Sequence, residues 1–438
     1  MIFCSKVDYG LTIYGKCAKS NLKTLNPFYH AAIRASLKCF RTTPIKNMMT
    51  EGGFHSIEER NEILTSRLFP KIYESYSSPI HKDADKILRR KKTPKQPSTL
   101  YKALTFGKDV IEINPVVKSI SIEKHPPWAL PMDSINTSLS NYPKNTTPNI
   151  IYTQLFLDLL DRYSNHLWNI LYTDGSKNSE GTGFAVVDKD SQIVSGEKLP
   201  SYFSIFSTEA LAILKATKLA ISSKKKTVIF TDSLSTLTAI KNIKHRSPYI
   251  NKIRDNIISQ GAKLQLIWIP GHAGIKGNEA ADRLAKSISI CPNTNISQQR
   301  PLKKDLMKII DTHWRHKKKQ DWNAYIHHYA TINPEGIPAL YPSNTTAKMN
   351  KCFLRLRLGH TWLTNSYLLK NEPPPTCHIC QSNSIISINH LTSECTKIKH
   401  IFEKLYNKTF TNLLSIPSED NIKNVFKVLQ DLKLDTCI

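Results

Sequence analysis

The middle of the chain alternates between short apolar runs and stretches with helical spacing. Asn169–Tyr172 and Val228–Phe230 are continuous apolar runs and are predicted to be buried strands. Between them, apolar residues recur every three or four positions over 208–222, which predicts a helix capped by Ser207 or Thr208. A strand, a helix and a second strand in this order favour a parallel pair with a right-handed crossover.

The same patterns extend this arrangement on both sides. Further short apolar runs predict strands over 181–187, 192–198, 227–231 and 263–269. Helical spacing predicts one helix after Asp232, another around 250–257, and one over 151–163 that packs beside the sheet. Residues 166–290 therefore read as an α/β domain.

Four acidic residues occupy the ends of these predicted elements. Asp174 and Asp232 follow strands, while Glu209 and Asp282 lie near the starts of helices. Neighbouring parallel strands place their carboxyl ends together, so the four are predicted to converge. Clustered carboxylates repel one another unless a hard divalent cation binds them, and Mg²⁺ or Mn²⁺ suits oxygen ligands. Two such ions can support phosphodiester hydrolysis.

The motifs around these residues carry a family resemblance. They are Thr173-Asp174-Gly175-Ser176, Ser207-Thr208-Glu209-Ala210, Thr231-Asp232-Ser233, and Pro270-Gly271-His272 continuing to Asp282. In this order they resemble type 1 ribonuclease H, and more narrowly the ribonuclease H module of non-LTR retrotransposon polyproteins. The resemblance implies a five-stranded mixed sheet whose first three strands form a meander. It also implies that two Mg²⁺ ions support cleavage of the RNA strand of an RNA–DNA hybrid.

The resemblance also assigns roles to individual residues. It implies that the four carboxylates bind the metal ions and that His272, on a Gly-rich loop, assists proton transfer or product release. It places Gly175, Ser176 and Glu209 near the 2′-hydroxyls that distinguish RNA from DNA.

The charge of the whole chain favours a polyanionic partner. Lys and Arg total 61 against 35 acidic residues, a net charge of +26. Residues 166–290 hold 17 basic and 10 acidic residues, so most of the excess lies in the flanks. We expect the flanks to bind single-stranded RNA or DNA through phosphate contacts, although a basic, solvated surface is the alternative. The basic run Leu88–Lys95 is interpreted as a nucleic-acid contact or a nuclear address, or as solvated charge.

Cysteine usage and hydropathy indicate an intracellular protein without a membrane span. The nine Cys residues include one tight cluster and six scattered ones, which does not resemble a disulfide framework. We find no signal-peptide pattern after Met1 and no apolar run of about 18 residues.

The flanks divide into three further parts. Residues 1–75 are predicted to be mostly helical, with breaks near Thr43-Pro44 and Gly52-Gly53, and resemble the region after the polymerase palm of retroelement reverse transcriptases. An ordinary helical subdomain is the alternative. Residues 76–150 contain nine prolines and are predicted to be a disordered linker rich in Pro, Ser and Thr. Residues 151–290 form the predicted ribonuclease H domain, and 291–438 a helical basic tail.

Polymerase activity is not predicted, because the paired Asp-Asp signature of the polymerase site is absent. The resemblance implies that the chain is the carboxyl-terminal part of a larger polyprotein, or a truncated copy of one.

The tail carries a candidate zinc site. Cys377-x2-Cys380-x9-His390-x4-Cys395 supplies three thiolates and one imidazole, the tetrahedral Cys₃His set that suits Zn²⁺. Without a further polar ligand, this pattern indicates a closed structural site. A chance cluster of reduced cysteines is the alternative.

Two other functions compete with the ribonuclease. The first alternative is a catalytically inactive copy that binds hybrids without cutting them. The second is an interaction protein that recruits a separate reverse transcriptase. Every predicted catalytic position is present, which favours the enzyme.

Overall fold

The computed structural model describes residues 2–74, 80–89, 93–111, 125–143, 146–164, 167–223, 225–292 and 294–438. Within these residues the strands are β1 (Ile135–Asn136), β2 (Trp168–Lys177), β3 (Thr182–Asp188), β4 (Ile193–Leu199), β5 (Lys226–Thr231) and β6 (Leu264–Trp268). The helices of the first half are α1 (Ile2–Tyr14), α2 (Lys19–Lys23), α3 (Asn26–Leu37), α4 (Ile45–Glu51), α5 (Ile57–Ser66), α6 (Leu68–Glu74), α7 (Ile80–Leu88), α8 (Thr99–Asp109), α9 (Asn149–Asp161) and α10 (Ile205–Ser223). Those of the second half are α11 (Leu234–Lys241), α12 (Pro248–Gln260), α13 (Lys276–Ile290), α14 (Lys303–Asn323), α15 (His328–Ile332), α16 (Ala347–Leu358), α17 (Trp362–Asn365), α18 (Tyr367–Lys370), α19 (Thr396–Tyr406), α20 (Phe410–Ser415) and α21 (Glu419–Asp431).

The six strands form one mixed sheet in the order β1-β6-β5-β2-β3-β4. Strands β2, β3 and β4 form an antiparallel meander, whereas β2 pairs with β5, β5 with β6 and β6 with β1 in parallel. The predicted α/β fold class is therefore confirmed. The five expected strands are present, and β1 is an unexpected sixth. It is two residues long, too short to show any periodicity in the sequence.

Both faces of the central strands are buried, which explains their continuous apolar sequences. Leu171, Ile229 and Leu266 belong to a core that also contains residues of α10 and α12. Tyr172 and Phe230 point into a second core with residues of α9 and α13. Phe230 is fully buried, as predicted for a core residue.

Helix α10 begins earlier than the sequence indicates. It starts at Ile205, so Ser207 and Thr208 lie inside the helix rather than capping it. Ser204 Oγ accepts the Ser207 amide at 3.3 Å, and the buried Asp305 accepts the Ser204 amide at 3.0 Å. The helix start is thus satisfied by a carboxylate about a hundred residues away. Glu209 consequently lies in the second turn, not the first.

The prediction of a disordered linker over 76–150 is wrong for those residues of the segment that the structure describes. Helices α7 and α8, strand β1 and three short 3₁₀ turns lie there. Apolar residues explain this order: Leu104 is fully buried, and Leu130 and Ile135 join the core that contains α10. Arg90–Lys92 of the predicted basic run lie outside the described residues.

The chain divides into two compact units. The sheet unit comprises Phe69–Arg89 and Gly107–Ile309, and the helical unit comprises Met1–Leu68, Arg90–Phe106 and Ile310–Ile438. The helical interruptions predicted near Thr43-Pro44 and Gly52-Gly53 are confirmed as the gaps around α4. Among the described residues, no helix combines the length and apolar character needed to cross a membrane.

A buried ion pair joins the amino-terminal and carboxyl-terminal segments inside the helical unit. Arg357 Nε lies 2.9 Å from Glu51 Oε1, and both side chains are almost completely buried. The Tyr341 hydroxyl donates to Glu51 Oε1 at 2.5 Å, and the Tyr329 hydroxyl donates to Oε2. Both carboxylate oxygens therefore have partners, as a buried charge requires.

Candidate active site and candidate metal centre

The parallel ladder between β2 and β5 ends at an acidic cluster. Its last pair is Thr173 with Thr231, and the next residue in each segment is an aspartate. Asp232 follows β5 as predicted, whereas Asp174 lies inside β2, because pairing with β3 extends that strand to Lys177. Glu209 on α10 and Asp282 on α13 approach from helices that both contact β2. The structure thus brings together the four carboxylates that the motifs single out.

Asp174 shows how closely the four groups interact. Its pKa is raised to about 8, first by burial and then by the negative charge of Asp232. Asp282 and Glu209 shift it in the same direction. The Gly175 amide donates to Asp174 Oδ1 at 2.7 Å and opposes the shift, because it stabilises the charged form. Without a cation, burial and the neighbouring carboxylates therefore disfavour the charged form of Asp174.

Asp232 and Glu209, both partly exposed, are held by neighbouring polar side chains. Burial raises the pKa of Asp232, while Asn278 Nδ2, 3.4 Å from Asp232 Oδ2, lowers it. Burial likewise raises the pKa of Glu209, opposed by a hydrogen bond that the Ser233 hydroxyl donates to Glu209 Oε2. These contacts fix the orientation of each carboxylate.

Two glycines allow the surrounding backbone to come close to the cluster. A Cβ on Gly175 would lie 2.9 Å from the Glu209 amide nitrogen, so this position joins β2 to α10 without space for a side chain. A Cβ on Gly271 would lie 2.6 Å from Asp232 Oδ2. The loop after β6 therefore passes directly beside Asp232.

His272 lies on that loop, exposed to solvent and in the left-handed region with φ 58°. Its charge is among the groups that lower the pKa of Asp232, which places its ring near the cluster. The loop is anchored by α9: Thr153 Oγ1 donates to the Ala273 carbonyl at 3.0 Å, and Asn149 Nδ2 donates to the His272 carbonyl at 3.4 Å. An exposed imidazole on an anchored loop can exchange protons with solvent and with a group bound at the carboxylates.

Asp282 has a basic neighbour that sequence reasoning missed. Lys286 Nζ lies 2.7 Å from Asp282 Oδ2, one helical turn away. The i,i+4 spacing was a visible signal for this pair. Ser233 and Asn278 were missed as well, although each lies inside a motif that the sequence shows.

The predicted substrate residues lie on both faces of β2. Gly175 lies against the backbone of Glu209 on α10. Ser176 is 8% exposed and, as the next residue along the strand, directs its side chain to the opposite face of the sheet.

The four predicted zinc ligands also come together, in the helical unit. The sulfur atoms of Cys377, Cys380 and Cys395 and one ring nitrogen of His390 all lie within 4.8 Å of one another. His390 Nε2 is 3.4 Å from Cys380 Sγ, and its Nδ1 is 3.3 Å from Glu394 Oε2. A carboxylate on the second ring nitrogen orients a histidine ligand and selects its tautomer. The Cys₃His cluster is compatible with zinc.

Known proteins are similar to this chain in the segment that contains the acidic cluster. The RNase H family model matches residues 168–290, which contain all four carboxylates and His272. Ribonuclease H1 of Rattus norvegicus is 31% identical over 138 residues, an alignment covering 27% of this chain and 48% of the rat protein. The chain thus spans about half the length of that curated relative.

Proposed function

We propose that this protein hydrolyses the RNA strand of RNA–DNA hybrids with two bound Mg²⁺ or Mn²⁺ ions, a proposal supported by the match of residues 168–290 to the RNase H family model. The observation that carries the proposal is the convergence of four carboxylates where the parallel ladder of β2 and β5 ends, with the pKa of Asp174 raised to about 8. Such perturbed carboxyls are typical of catalytic sites.

The donor set fits hard divalent cations. Asp174, Glu209, Asp232 and Asp282 supply oxygen ligands, and the burial and mutual repulsion that raise the pKa of Asp174 are both relieved by a cation. Asn278 Oδ1 is buried and has no hydrogen-bond partner in the described part of the chain, so an acceptor oxygen is left beside Asp232. When bound, the two ions supply charge stabilisation and an activated water for phosphodiester hydrolysis.

The protein's own groups position the ligands and handle the proton. The Gly175 amide holds Asp174 and the Ser233 hydroxyl holds Glu209, so neither carboxylate has to reorient. His272 exchanges a proton with the reacting strand or its product, from a loop that α9 anchors.

We assign discrimination of RNA from DNA to Gly175, Ser176 and Glu209, as the motif resemblance implies. A 2′-hydroxyl both donates and accepts, so a carboxylate oxygen and a backbone group side by side suit it. These contacts read sugar and phosphate, so we expect little dependence on base sequence.

A direct test uses a hybrid labelled on each strand in turn. The wild-type protein with Mg²⁺ should cut only the RNA strand, and Asp174→Asn should reduce the rate by at least about a thousandfold, since it removes one carboxylate of the metal-binding set. Asp190→Asn is the matched control, because Asp190 is exposed at the end of β3. If the wild-type protein binds the hybrid but does not cut it, the alternative of a catalytically inactive, hybrid-binding copy is favoured.

We also propose that Cys377, Cys380, His390 and Cys395 bind one structural Zn²⁺. The approach of the four ligand atoms within 4.8 Å supports this, as does the burial of Cys377 and Cys395 in the core of the helical unit. Metal analysis of purified protein should find about one Zn²⁺ per chain, and Cys377→Ser should abolish it. Cys437→Ser is the control, since that thiol lies outside the cluster. Wild-type protein without zinc would refute the site.

A retroelement origin remains a proposal that rests on the motif resemblance alone. Reading the coding DNA upstream of Met1 tests it. An in-frame polymerase palm there would support the origin, and unrelated coding sequence would count against it.

A further inference from the structure

A cavity of about 600 Å³ lies within the helical unit, and none of the residues that line it belongs to the acidic cluster. Residues of α5 and α14 form two of its sides, and the loop around Gly336 forms a third. Its size falls within the roughly 300–1,000 Å³ typical of small-ligand sites.

Apolar residues line the cavity on all three sides, and they are Ile63, Trp314, Ile337 and Pro338. The Trp314 indole donates a 3.0 Å hydrogen bond to Ser66 Oγ and packs beside the parallel ring of Phe106, with Lys317 Nζ over its ring at 4.6 Å. These contacts hold the Trp314 side chain in place, so the apolar part of the lining has a fixed shape.

The charges lining the cavity do not cancel. Its three carboxylates each have a basic partner that also lines it. The pairs are Asp8 with Arg60, Asp311 with Arg67 at 2.8 Å, and Glu335 with Lys319 at 2.7 Å. Arg315 and Lys318 line the same cavity, and within the described residues their side chains bond only to carbonyl and hydroxyl oxygens, of Asp311 and Thr312 for Arg315 and of Phe54 for Lys318. Burial lowers the pKa of Lys318, opposed by the charge of Glu59, which does not line the cavity. The residues that line the cavity therefore include two more Lys and Arg side chains than carboxylates.

An unsatisfied donor lies in the same place. Arg67 lines the cavity, and its Nε is buried without a hydrogen-bond partner in the part of the chain that the structure describes. Buried donors are nearly always paired, so an acceptor oxygen supplied by a ligand would complete this one.

We propose that this cavity binds one nucleoside phosphate, either as a unit of single-stranded nucleic acid or as a free nucleotide. The base lies among the apolar residues of the lining, and the phosphate lies at Arg315 and Lys318. A planar apolar group joined to an anion is the ligand that this combination fits. Excess cations lining a cavity attract phosphate, and any of the bases can pack against an apolar surface. The proposal goes beyond the ribonuclease activity and does not depend on it.

The test measures binding of a fluorescein-labelled single-stranded DNA of about 12 nucleotides, within the usual site sizes of about 4–16, by the full-length protein. DNA is used because a ribonuclease does not cut it. The double variant Arg315→Gln/Lys318→Gln should raise the Kd on the order of tenfold, since two charge-assisted contacts are lost. The matched control is Lys404→Gln/Lys427→Gln, which removes the same charge from exposed positions of the helical unit that do not line the cavity. An equal loss in both double variants, or no loss in either, would overturn the proposal.

Competition and crosslinking locate the ligand and identify its source. Displacement of the DNA by adenosine monophosphate, weakened in the cavity variant, supports free-nucleotide binding. Crosslinks from a 4-thiothymidine-containing strand to residues 311–319 or 334–338, without competition by the mononucleotide, support a strand unit. Inorganic phosphate competing as well as adenosine monophosphate, or crosslinks only elsewhere, would refute recognition of the base.

The ribonuclease proposal is tested independently of the cavity proposal. Hybrid cutting is measured on the same cavity variant and should stay within about twofold of wild type, because Arg315 is exposed and the variant leaves the sheet unit unchanged. Binding without any cutting would leave the cavity proposal supported.

Discussion

At Asp174, burial and neighbouring negative charge act in the same direction. The residue is 8% exposed and faces three other carboxylates, and its pKa rises from 3.8 to about 8. A protein that kept this residue only for structure would gain stability from a neutral side chain here. We therefore attribute the presence of a destabilising carboxylate at this position to the cation that the cluster is proposed to bind.

The raised pKa of Asp174 predicts how the stability of the protein depends on pH in Mg²⁺-free buffer. The folded-state pKa lies above the unfolded value, so the stabilisation is fully present below about pH 4 and is lost as the pH rises through about 8. Asp174→Asn should remove this loss and raise the free energy of unfolding at pH 8 by roughly 2 kcal/mol or more. Urea unfolding at several pH values measures it, with Asp190→Asn as control. Identical pH profiles for the two variants would contradict the prediction.

Lys286 would compete with the proposed cation for Asp282. Its Nζ is exposed and lies 2.7 Å from Asp282 Oδ2. Lys286→Gln should lower the Mg²⁺ concentration for half-maximal hybrid cutting by about two- to fivefold, the range expected for one exposed ion pair. Lys276→Gln, at the start of the same helix, should change it little. An unchanged or higher Mg²⁺ requirement in Lys286→Gln would show that the pair does not oppose metal binding.

At the scale of elements, the site depends on the distance between β2 and α10. Gly175 brings the strand so close to the helix that a Cβ would lie 2.9 Å from the Glu209 amide nitrogen. The obstacle is backbone rather than a flexible side-chain end, so the strand or the helix has to move. Asp174 and Glu209 adjoin the contact, and any shift changes their separation.

Gly175→Ala should therefore lower the rate of hybrid cutting by about tenfold or more, because small displacements of catalytic groups have large effects on rate. The fold should survive, with a lowered melting temperature and normal circular dichroism. Ser223→Ala, at the exposed end of α10, is the control. Full activity in Gly175→Ala would show that the spacing is not critical.

At the scale of the whole molecule, segments from opposite ends of the chain share one interior. Val7 and Ile33 belong to the same core as Trp322 and Leu354 in the helical unit. The buried pair of Glu51 and Arg357 lies within this unit. Residues 2–68 are thus part of the structure that supports the tail, whatever their evolutionary origin.

Breaking that pair should destabilise the helical unit. Glu51→Gln leaves Arg357 buried without a counter-charge, at a cost of about 3–5 kcal/mol. Hydrogen exchange of α4 and α16 should accelerate, and exchange in the sheet unit should not. Glu62→Gln breaks the exposed pair with Lys317 and should cost less than about 1 kcal/mol. Slow exchange of α16 in Glu51→Gln would contradict the prediction.

Local patterns predicted much of the fold. Val228–Phe230 and Asn169–Tyr172 read as strands because burial on both faces leaves a continuous apolar run. The breaks around α4 were visible as Pro44 and Gly52-Gly53, since these residues end helices by their backbone chemistry. The zinc ligands could be proposed from spacing alone.

Only the tertiary structure decided the features that depend on contacts between distant residues. The start of α10 follows from Asp305, and the order in residues 125–143 from burial against the sheet unit's core. The same holds for the pair of Glu51 with Arg357 and for the charge balance of the cavity beside Trp314. Periodicity along the chain records which side of an element is buried. It does not record which distant side chain lies opposite, because that is decided when the whole chain packs.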